Sequence, residues 1–353
     1  MINIGVIGVG TVAQLMHLPI LSDLKDMYKI TAVSDVSPSV LEYVSKKYGV
    51  KPYSSPQDLV NDKDVDAVFV LSPDQYHAEF AKMAINAGKH VFVEKPVTLC
   101  PQELQELIDL EERNPQLVCM VGYMRRYSQG FLKCKELLKA DTRKIEYMRF
   151  RDIICEGRFF ILQTKLPFFA RDLSDEAKEE SAKRRLDQIK LALGENSTEQ
   201  QRVSYQMLTG LGCHTLAAVR ELVGLPLEIK SVAVEGEHLI VIFQYQDFLA
   251  VYEILNDQDI VQFDASIEIY QHDRYMHVKY ETPYLRYQPH NFTVIESTKS
   301  DTKTTVYGPD YRDPFEDELK YFQECIVQGK KPKTSFKDAM NDIVLFQQIC
   351  EKI

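Results

Sequence analysis

The chain has 353 residues, of which 45% are hydrophobic and 27% charged, so it is neither a disordered nor a membrane-spanning protein. A net charge of −10 argues against a nucleic-acid-binding protein, which needs a basic face. The seven cysteines are scattered without a CxxC pair, and the N-terminus starts directly in a strand pattern without an evident signal peptide. These features predict a cytoplasmic protein with reduced thiols.

The first 122 residues alternate short apolar runs with helical patterns. The predicted strands are Ile2–Ile7, Ile30–Ser34, Ala67–Leu71, His90–Val93 and Leu117–Val121. The predicted helices are Val12–Leu24, Ser39–Tyr48, Pro56–Asn61, Gln75–Ala87 and Pro101–Arg113. Buried strands joined by helices predict a doubly wound parallel sheet with right-handed crossovers. We therefore expect an α/β dinucleotide-binding domain of the Rossmann type over residues 1–122.

After a helix at Ser128–Ala140, strands rich in β-branched and aromatic residues dominate. They are Ile145–Ile154, Ile229–Val234, His238–Tyr245, Leu249–Leu255, Ser266–Tyr270, His277–Tyr280 and Phe292–Ser297. This pattern predicts an α+β domain over residues 123–353 with a mostly antiparallel sheet; the family resemblance described below implies that this sheet is large and open and that the domain serves substrate binding and oligomerisation. Helices close the chain at about 314–352, and one interpretation is that they pack back on the first domain.

A strongly charged stretch interrupts the second region. It runs from the acidic Arg171–Glu176 segment to the basic Lys183–Arg185 run, an order that suits a helix dipole. One interpretation is a solvated helical insertion, as is usual for charge runs. The other is a lid or a substrate-specificity element.

The turn after the first strand fits the GxGxxG/A pattern with Gly8, Gly10 and Ala13. In such a turn the first glycine permits the sharp bend, and the second lets the backbone approach a pyrophosphate. Thr11 and Val12 open the following helix, whose first N–H groups suit phosphate. The pattern predicts a dinucleotide site.

Asp35 ends the second strand, where a carboxylate accepts hydrogen bonds from the hydroxyls of an adenosine ribose. A 2′-phosphate at that place would be repelled. The predicted cofactor is therefore NAD, with NADP disfavoured.

Two further motifs carry a family resemblance. They are Ser72–His77, with the sequence Ser-Pro-Asp-Gln-Tyr-His, and Ala87–Pro96, which contains Gly-Lys-His-Val and Glu-Lys-Pro. With the N-terminal glycine motif, the chain resembles the glucose–fructose oxidoreductase/inositol dehydrogenase family, called Gfo/Idh/MocA. Asp74 stands where that family usually has asparagine. The resemblance is strong over residues 1–127 and weaker between 155 and 203.

The resemblance implies reversible hydride transfer between a nicotinamide cofactor and a sugar, polyol or related hydroxyl compound. It implies that Lys95 and His214 are catalytic, through proton transfer and positioning of the substrate oxygen. Cofactor contacts are implied for Ser72, Pro73, His77, Glu94 and Lys95. Pro96 is a candidate for a cis peptide bond.

One departure from the family pattern bears on activity. The family motif resembles Asp-x-Gly-x-His-x-x-Asp, but here Gly210 replaces the first aspartate and Ala217 the last. Either Asp152 or Glu156 supplies the missing carboxylate, or the glycine makes room for a bulkier substrate. The third possibility is that activity has been lost.

Tyr123 and Arg126 lie where the chain leaves the first domain, and they are candidates for binding substrate, since arginine suits a carboxylate or phosphate. The alternative is that Arg125 and Arg126 pair with acidic side chains. No histidines have metal-ligand spacing, so we expect no metal. The resemblance implies a homodimer or homotetramer through the second sheet, with neither nucleic acid nor membrane as partner.

The leading hypothesis is thus an NAD(P)-dependent oxidoreductase acting on CH–OH groups. The alternative is a dinucleotide-binding sensor or regulatory protein of the same fold that has lost turnover. Reduction of an imine or enone also stays open, since fold does not decide function.

Overall fold

The structure, a computed structural model, describes residues 1–140, 142–155, 157–164, 166–257, 259 and 261–353, without the side chains of Cys155 and Arg158. The chain forms two compact units. The first consists of Met1–Gly122, Lys165–Asn196 and Glu318–Ile343. The second consists of Tyr123–Thr164, Ser197–Asp317 and Val344–Ile353. The first unit therefore contains two stretches from beyond residue 122, and we call Lys165–Asn196 the return segment.

The first 122 residues form a parallel sheet covered by helices. Its strands are β1 (Ile2–Ile7), β2 (Tyr28–Ser34), β3 (Lys51–Tyr53), β4 (Ala67–Val70), β5 (His90–Glu94) and β6 (Cys119–Gly122). The helices are α1 (Leu18–Asp23), α2 (Pro38–Tyr48), α3 (Pro56–Asn61), α4 (His77–Asn86) and α5 (Pro101–Arg113). The strand order β3-β2-β1-β4-β5-β6, parallel throughout, confirms the predicted doubly wound sheet.

Local sequence explains where these helices begin and end. The Ser37 hydroxyl caps α2 by accepting from the Val40 N–H at 3.2 Å, and Pro38 follows in the first turn. Gly49 ends the helix with a φ of +66°, a conformation that glycine adopts at little cost. The helix after β1 is less regular than the sequence predicts, because Ala13–His17 form a π-helical turn ahead of α1.

The middle of the chain is mainly helical. Its elements are α6 (Gln129–Lys139), β7 (Ile145–Cys155), α7 (Gly157–Leu162), α8 (Asp175–Leu193), α9 (Glu199–Met207) and α10 (Cys213–Val223). A π-helical turn at Leu208–Gly212 joins α9 to α10. The return segment contains α8, which Ser174 caps by accepting from the Ala177 N–H at 3.2 Å.

The last part of the chain completes the second sheet. Its strands are β8 (Glu228–Glu235), β9 (His238–Gln244), β10 (Leu249–Asp257), β11 (Asp264–Gln271), β12 (Arg274–Tyr280), β13 (His290–Ser297) and β14 (Thr302–Asp310). The helices α11 (Pro314–Gln328) and α12 (Phe336–Cys350) follow. The eight strands run in the order β14-β13-β12-β11-β7-β10-β9-β8, antiparallel apart from β7 and β10. The predicted mostly antiparallel open sheet is confirmed.

Each unit has its own aromatic core. In the first, Phe69 and Phe92 stack at 4.8 Å, and Phe322 of α11 meets both rings edge-on at 5.7 Å. In the second, Phe150 stacks on Tyr252 at 5.4 Å. Within the described ranges, no helix combines the length and apolar character that crossing a bilayer requires.

Candidate nucleotide-binding site

Gly8 forms the turn at the carboxyl end of β1. Its N–H donates to the Ser34 carbonyl oxygen at 2.8 Å, and its φ is +86°. A Cβ atom on this residue would lie 2.5 Å from the Ser72 nitrogen and 2.6 Å from the Ser72 Cα. Only glycine therefore lets the first turn and the segment after β4 approach this closely.

Gly10 lies two residues further on, and a glycine is not needed there for the reason that applies at Gly8. A Cβ atom there would have no neighbour within 4 Å, so the protein's own packing does not demand glycine. Thr11 and Val12, both partly exposed, then start the helical turn. Backbone N–H groups at a helix start suit a pyrophosphate, so the open space here fits a dinucleotide, and binding by Gly10, Thr11 and Val12 stays a prediction.

Asp35 lies at the carboxyl end of β2 and holds the glycine turn in place through a hydrogen bond. Its carboxylate accepts from the Val9 N–H at 2.8 Å and from the Ser37 N–H at 2.9 Å. Burial raises the pKa of Asp35, the nearby Asp172 carboxylate raises it further, and the backbone N–H donors act in the opposite direction. The predicted ribose-binding carboxylate is therefore held rigidly, with a second acidic group close by.

The return segment covers the carboxyl edge of the parallel sheet at several points. Near the glycine turn, the Gln14 side chain donates to the Phe168 carbonyl at 3.0 Å and accepts from the Phe168 N–H at 2.8 Å. At the start of α2, Asp172 accepts from the Ser37 hydroxyl and from the Ser39 N–H, the latter at 2.8 Å. These contacts join the segment to the residues after β1 and β2.

Helix α8 continues these contacts beyond β4. The Gln75 amide donates to Ser181, the Tyr76 hydroxyl donates to Glu180, and Arg185 pairs with Asp74 at 2.7 Å. The charged stretch is thus bound to the Rossmann unit through specific polar contacts. Most of its charged side chains are exposed, as the interpretation as a solvated helical insertion expects, and the interpretation as a lid or specificity element stays a prediction.

A cavity of about 740 Å³ lies between the sheet edge and α8. The sheet side contributes Gly8, Asp35, Ser72 and Pro73, and the return segment contributes Leu173 and Ala177, among others. The volume falls within the usual range for cofactor sites. Four of the predicted cofactor residues are therefore brought together around one cavity.

His77, the first residue of α4, joins two loops. Its Nδ1 lies 2.7 Å from the Pro96 carbonyl oxygen, and its Nε2 lies 2.7 Å from the Ser72 carbonyl oxygen. The residue is 2% exposed. A singly protonated ring can donate to one of these oxygens, and an imidazolium to both. His77 thereby fixes the Ser72 loop against the Lys95–Pro96 peptide bond, which is cis.

Glu94, before Lys95, is held by a buried histidine. Its Oε1 lies 2.7 Å from Nε2 of His17, and its Oε2 accepts from the Lys95 N–H at 3.1 Å. Burial raises the pKa of Glu94, but the His17 hydrogen bond and the charges of His17, Lys95 and His77 outweigh it and leave that pKa lowered. Glu94 is therefore a carboxylate that orients the Lys95 backbone.

His214 lies in the first turn of α10, in the second unit, and is partly buried. One turn earlier, a Cβ atom on Gly210 would meet nothing within 4 Å. Space is therefore available where the family aspartate is replaced. Of the two carboxylates considered as substitutes, Glu156 lies outside the described residues.

Asp152, the other candidate substitute, is fully buried in a polar network. It accepts from Arg125, from the Thr215 hydroxyl at 2.9 Å and from the Tyr252 hydroxyl at 3.0 Å. All its partners are internal groups of the second unit. This favours a structural role in which Asp152 fixes α10 beside His214.

The two arginines after Tyr123 are each paired with an acid of the second unit. Arg125 pairs with Asp152, and Arg126 pairs with Glu221, with all four side chains at most 6% exposed. The guanidinium of Arg126 also lies 5.9 Å from the centre of the Tyr123 ring. The structure therefore shows both arginines in ion pairs with acidic side chains, and substrate binding by Tyr123 and Arg126 stays a prediction.

Sequence reasoning missed the contacts that the return segment makes at the site, chiefly those of Phe168 with Gln14 and of Asp172 with Ser39, and the position of Leu173 in the cavity lining. The charge pattern suited a helix in this stretch but gave no sign of where it packs. Among the residues that the structure describes, no three His, Cys, Asp or Glu side chains are grouped to hold a metal ion. That the protein needs no metal stays a prediction.

Residues 2–123 match the model of an oxidoreductase family with an NAD-binding Rossmann fold, GFO_IDH_MocA. The inositol 2-dehydrogenase of Salmonella typhimurium is 32% identical over 136 residues, which are 38% of this chain and 40% of that protein. The myo-inositol 2-dehydrogenase of Thermotoga maritima is 35% identical over 141 residues, or 40% of this chain and 41% of that protein. The chain thus matches about two fifths of the length of these curated relatives.

Solved structures are similar over nearly the whole chain. A 3-ketoreductase from Actinomadura kijaniata, in complex with NADP and TDP-benzene, has a TM-score of 0.74 at 17% identity, covering 99% of this chain and 96% of that one. The UDP-N-acetylglucosamine 3-dehydrogenase of Acidithiobacillus ferrooxidans has a TM-score of 0.71 at 17% identity, covering 99% and 97%. At these identities the likeness is one of fold. The match over residues 2–123 confirms the resemblance found in the sequence, since this part of the chain is similar to the Gfo/Idh/MocA oxidoreductases.

Proposed function

We propose that the protein is an NAD-dependent oxidoreductase acting on a hydroxyl group of a sugar, polyol or related compound. The observation that carries the proposal is the 740 Å³ cavity at the carboxyl edge of the parallel sheet, bordered by Gly8 and Asp35. Ligands of open α/β sheets bind at this edge. The curated relatives, which are named inositol 2-dehydrogenases, support the substrate class.

In this proposal the first unit holds the dinucleotide. Gly10, Thr11 and Val12 receive the pyrophosphate at the helix start, and the Asp35 carboxylate accepts from the adenosine ribose. His77 and Glu94 keep the loops after β4 and β5 in place, as their hydrogen bonds indicate. A bound nicotinamide cofactor would supply the hydride acceptor for the carbon that carries the hydroxyl group.

Lys95 and His214 supply the proton chemistry in this proposal. An imidazole such as that of His214 accepts the hydroxyl proton near neutral pH. The Lys95 ammonium donates a hydrogen bond to the same oxygen and stabilises the negative charge that develops on it. In the reverse direction, the protonated imidazole returns its proton to the carbonyl oxygen as the hydride reaches the carbon.

The first experiment titrates the full chain with NADH and NADPH and follows the fluorescence of the reduced nicotinamide. We expect NADH to bind, and Asp35→Ala to weaken binding by about tenfold or more. Asp26→Ala, an exposed charge of the same unit, is the control and should bind as wild type does. A wild-type chain that binds neither dinucleotide would refute the proposal.

A screen of sugars and polyols then tests turnover. Lys95→Ala and His214→Ala should each lower kcat by about 10²- to 10⁴-fold while NADH still binds. Lys82→Ala, at an exposed position paired with Glu106, should leave kcat unchanged. Wild-type kcat values retained in both Lys95→Ala and His214→Ala would contradict their assignment.

A regulatory dinucleotide-binding protein is the second candidate function. It is favoured by the open space at Gly210, where the family carboxylate is missing, and by the internal partners of Asp152. It predicts tight NADH binding without oxidation of any hydroxyl compound. Turnover that disappears in Lys95→Ala would exclude it.

Assembly through the second sheet is also a proposal. One sheet face carries aromatic side chains, with Tyr270 meeting Tyr147 at 5.6 Å and Tyr275 at 4.9 Å. Glu268 on the same face pairs with Arg149 at 2.9 Å. We expect a dimer or tetramer by light scattering, and Tyr270→Glu should shift the mass toward the monomer.

A further inference from the structure

The start of helix α2 carries groups suited to an anion beside the ribose-binding aspartate. The Ser37 hydroxyl and the Ser39 N–H both point out of the first turn, two and four residues after Asp35. A helix N-terminus has a partial positive charge and N–H groups without intrahelical partners. If no other group accepted hydrogen bonds from this hydroxyl and this N–H, a phosphate on the ribose 2′-oxygen could accept them.

In this protein, a carboxylate of the return segment already accepts hydrogen bonds from both donors. Asp172 Oδ1 accepts from the Ser37 hydroxyl, and Asp172 Oδ2 accepts from the Ser39 N–H at 2.8 Å. These two donors lower the pKa of Asp172, so the side chain is charged at neutral pH. Asp172 is more than 130 residues away from them in sequence and reaches them only through the fold of the return segment.

Asp172 is adjacent in sequence to the lining of the cavity, because the next residue, Leu173, lines the cavity together with Asp35 and Val36. Ser37 links the two carboxylates, since its N–H donates to Asp35 and its hydroxyl donates to Asp172. Burial raises the pKa of Asp35, and the charge of Asp172 raises it further. The carboxylate of Asp172 therefore lies close to Asp35, which lines the cavity.

We propose that Asp172 determines cofactor specificity, because its carboxylate occupies the donors that a 2′-phosphate needs and repels that phosphate. This inference rests on the proposed function, since it requires a nicotinamide dinucleotide in the cavity. A phosphate monoester carries a charge of about −1.5 to −2 at pH 7, whereas the 2′-hydroxyl of NAD is neutral. The charge of Asp172 therefore penalises NADP selectively.

The test measures dissociation constants of NADH and NADPH for the full chain, together with those of adenosine 2′,5′-bisphosphate and 5′-AMP as adenosine-side probes. In Asp172→Asn, the ratio of the NADPH constant to the NADH constant should fall on the order of tenfold. The matched control is Asp175→Asn, which removes a charge of the same segment that pairs with Lys178. Its ratio should equal that of wild type.

Asp172→Ser is the second variant, because it removes the charge and offers a hydroxyl donor in its place. It should lower the dissociation constant of NADPH at least as much as Asp172→Asn does. The bisphosphate should gain affinity in both variants, and 5′-AMP should change by less than about threefold. Thermal unfolding of each variant confirms that the fold is retained, as expected for an exposed position.

Three results would overturn the inference; the first two leave the proposed function intact, and the third also contradicts its dependence on NAD. The first is NADH binding to wild type with a ratio that Asp172→Asn leaves unchanged. The second is an equal loss of NADH and NADPH binding in both variants, which would make Asp172 only a tether of the return segment. The third is a wild-type chain that prefers NADPH. Binding of neither dinucleotide to wild type would refute the proposed function and the inference together.

Discussion

Gly8 and Gly10 belong to the same motif, but the structure predicts opposite consequences when each is replaced by alanine. At Gly8 the φ of +86° costs a residue with a Cβ atom about 1–2 kcal/mol. The new methyl group would also lie 2.5 Å from the Ser72 nitrogen and 2.8 Å from the Leu71 carbonyl carbon, so backbone must shift. Overpacking of this kind costs about 1–3 kcal/mol. Gly8→Ala should therefore lower the free energy of unfolding by about 2–5 kcal/mol.

Gly10→Ala should leave stability within about 0.5 kcal/mol of wild type, because its Cβ would enter open space. The same methyl group would narrow the approach to the helix start, so NADH affinity should fall on the order of tenfold. Urea unfolding followed by circular dichroism measures the first quantity, which suits a chain without tryptophan. Fluorescence titration with NADH measures the second.

Two results with these variants would contradict the structural reasons given. If Gly8→Ala is as stable as wild type, the close approach of the first turn to Ser72 is not a feature of the protein in solution. If Gly10→Ala binds NADH with wild-type affinity, the space beside Gly10 does not receive the cofactor. The second result would also contradict the pyrophosphate position given in the proposed function.

Three further predictions concern buried pairs and the return segment. Arg125→Ala leaves the Asp152 carboxylate buried without its cation and should lower the free energy of unfolding by about 3–5 kcal/mol in urea titrations. Glu94 has a lowered pKa in the folded protein, so its ionised form contributes stability above the unfolded pKa of 4.5, and this contribution is lost as the pH falls through the folded pKa. The stability difference between wild type and Glu94→Gln should be constant near neutral pH and shrink below about pH 4.5. Gln14→Ala removes both hydrogen bonds to the Phe168 backbone, so limited proteolysis should cut the return segment about tenfold faster.

Each of these predictions has a matched control in the chain. Arg143→Ala breaks a pair with Asp273 at a partly exposed position and should cost less than about 1 kcal/mol. Glu106→Gln alters an exposed pair and should show little pH-dependent difference from wild type near pH 4.5. Gln102→Ala loses one long contact to Leu191 and should not change proteolysis. Equal effects in a variant and its control would contradict the structural reason given for it.

Much of the parallel sheet was predictable because its strands are buried on both faces. The strand β4, Ala67–Val70, is buried at every position, and the sequence predicted it as Ala67–Leu71. By contrast, β14 at Thr302–Asp310 was not predicted. It is an edge strand whose residues are almost all exposed, so it lacks the apolar alternation that marks a strand. The π-helical turn at Ala13–His17 also has no signal in the hydrophobic pattern.

The nucleotide site was predictable where its residues follow strands in a fixed order. Gly8 and Asp35 come directly after β1 and β2, Ser72 lies two residues after the end of β4, and parallel strands bring their carboxyl ends to one edge. The contribution of the return segment follows no such rule. Its helix has acidic residues early and basic residues late, which predicts the helix but not the surface on which it packs.

This difference bears on how cofactor preference can be inferred from sequence in such a protein. A carboxylate after the second strand is a local signal, and Asp35 gives it. Asp172 acts at the same place but comes from a distant part of the chain, so a search limited to the residues after β2 would find Ser37 and Ser39 and count them as potential phosphate ligands. The structure shows that these donors are already taken. Whether a serine at a helix start can donate a hydrogen bond to a phosphate therefore depends on whether another part of the fold already accepts that hydrogen bond.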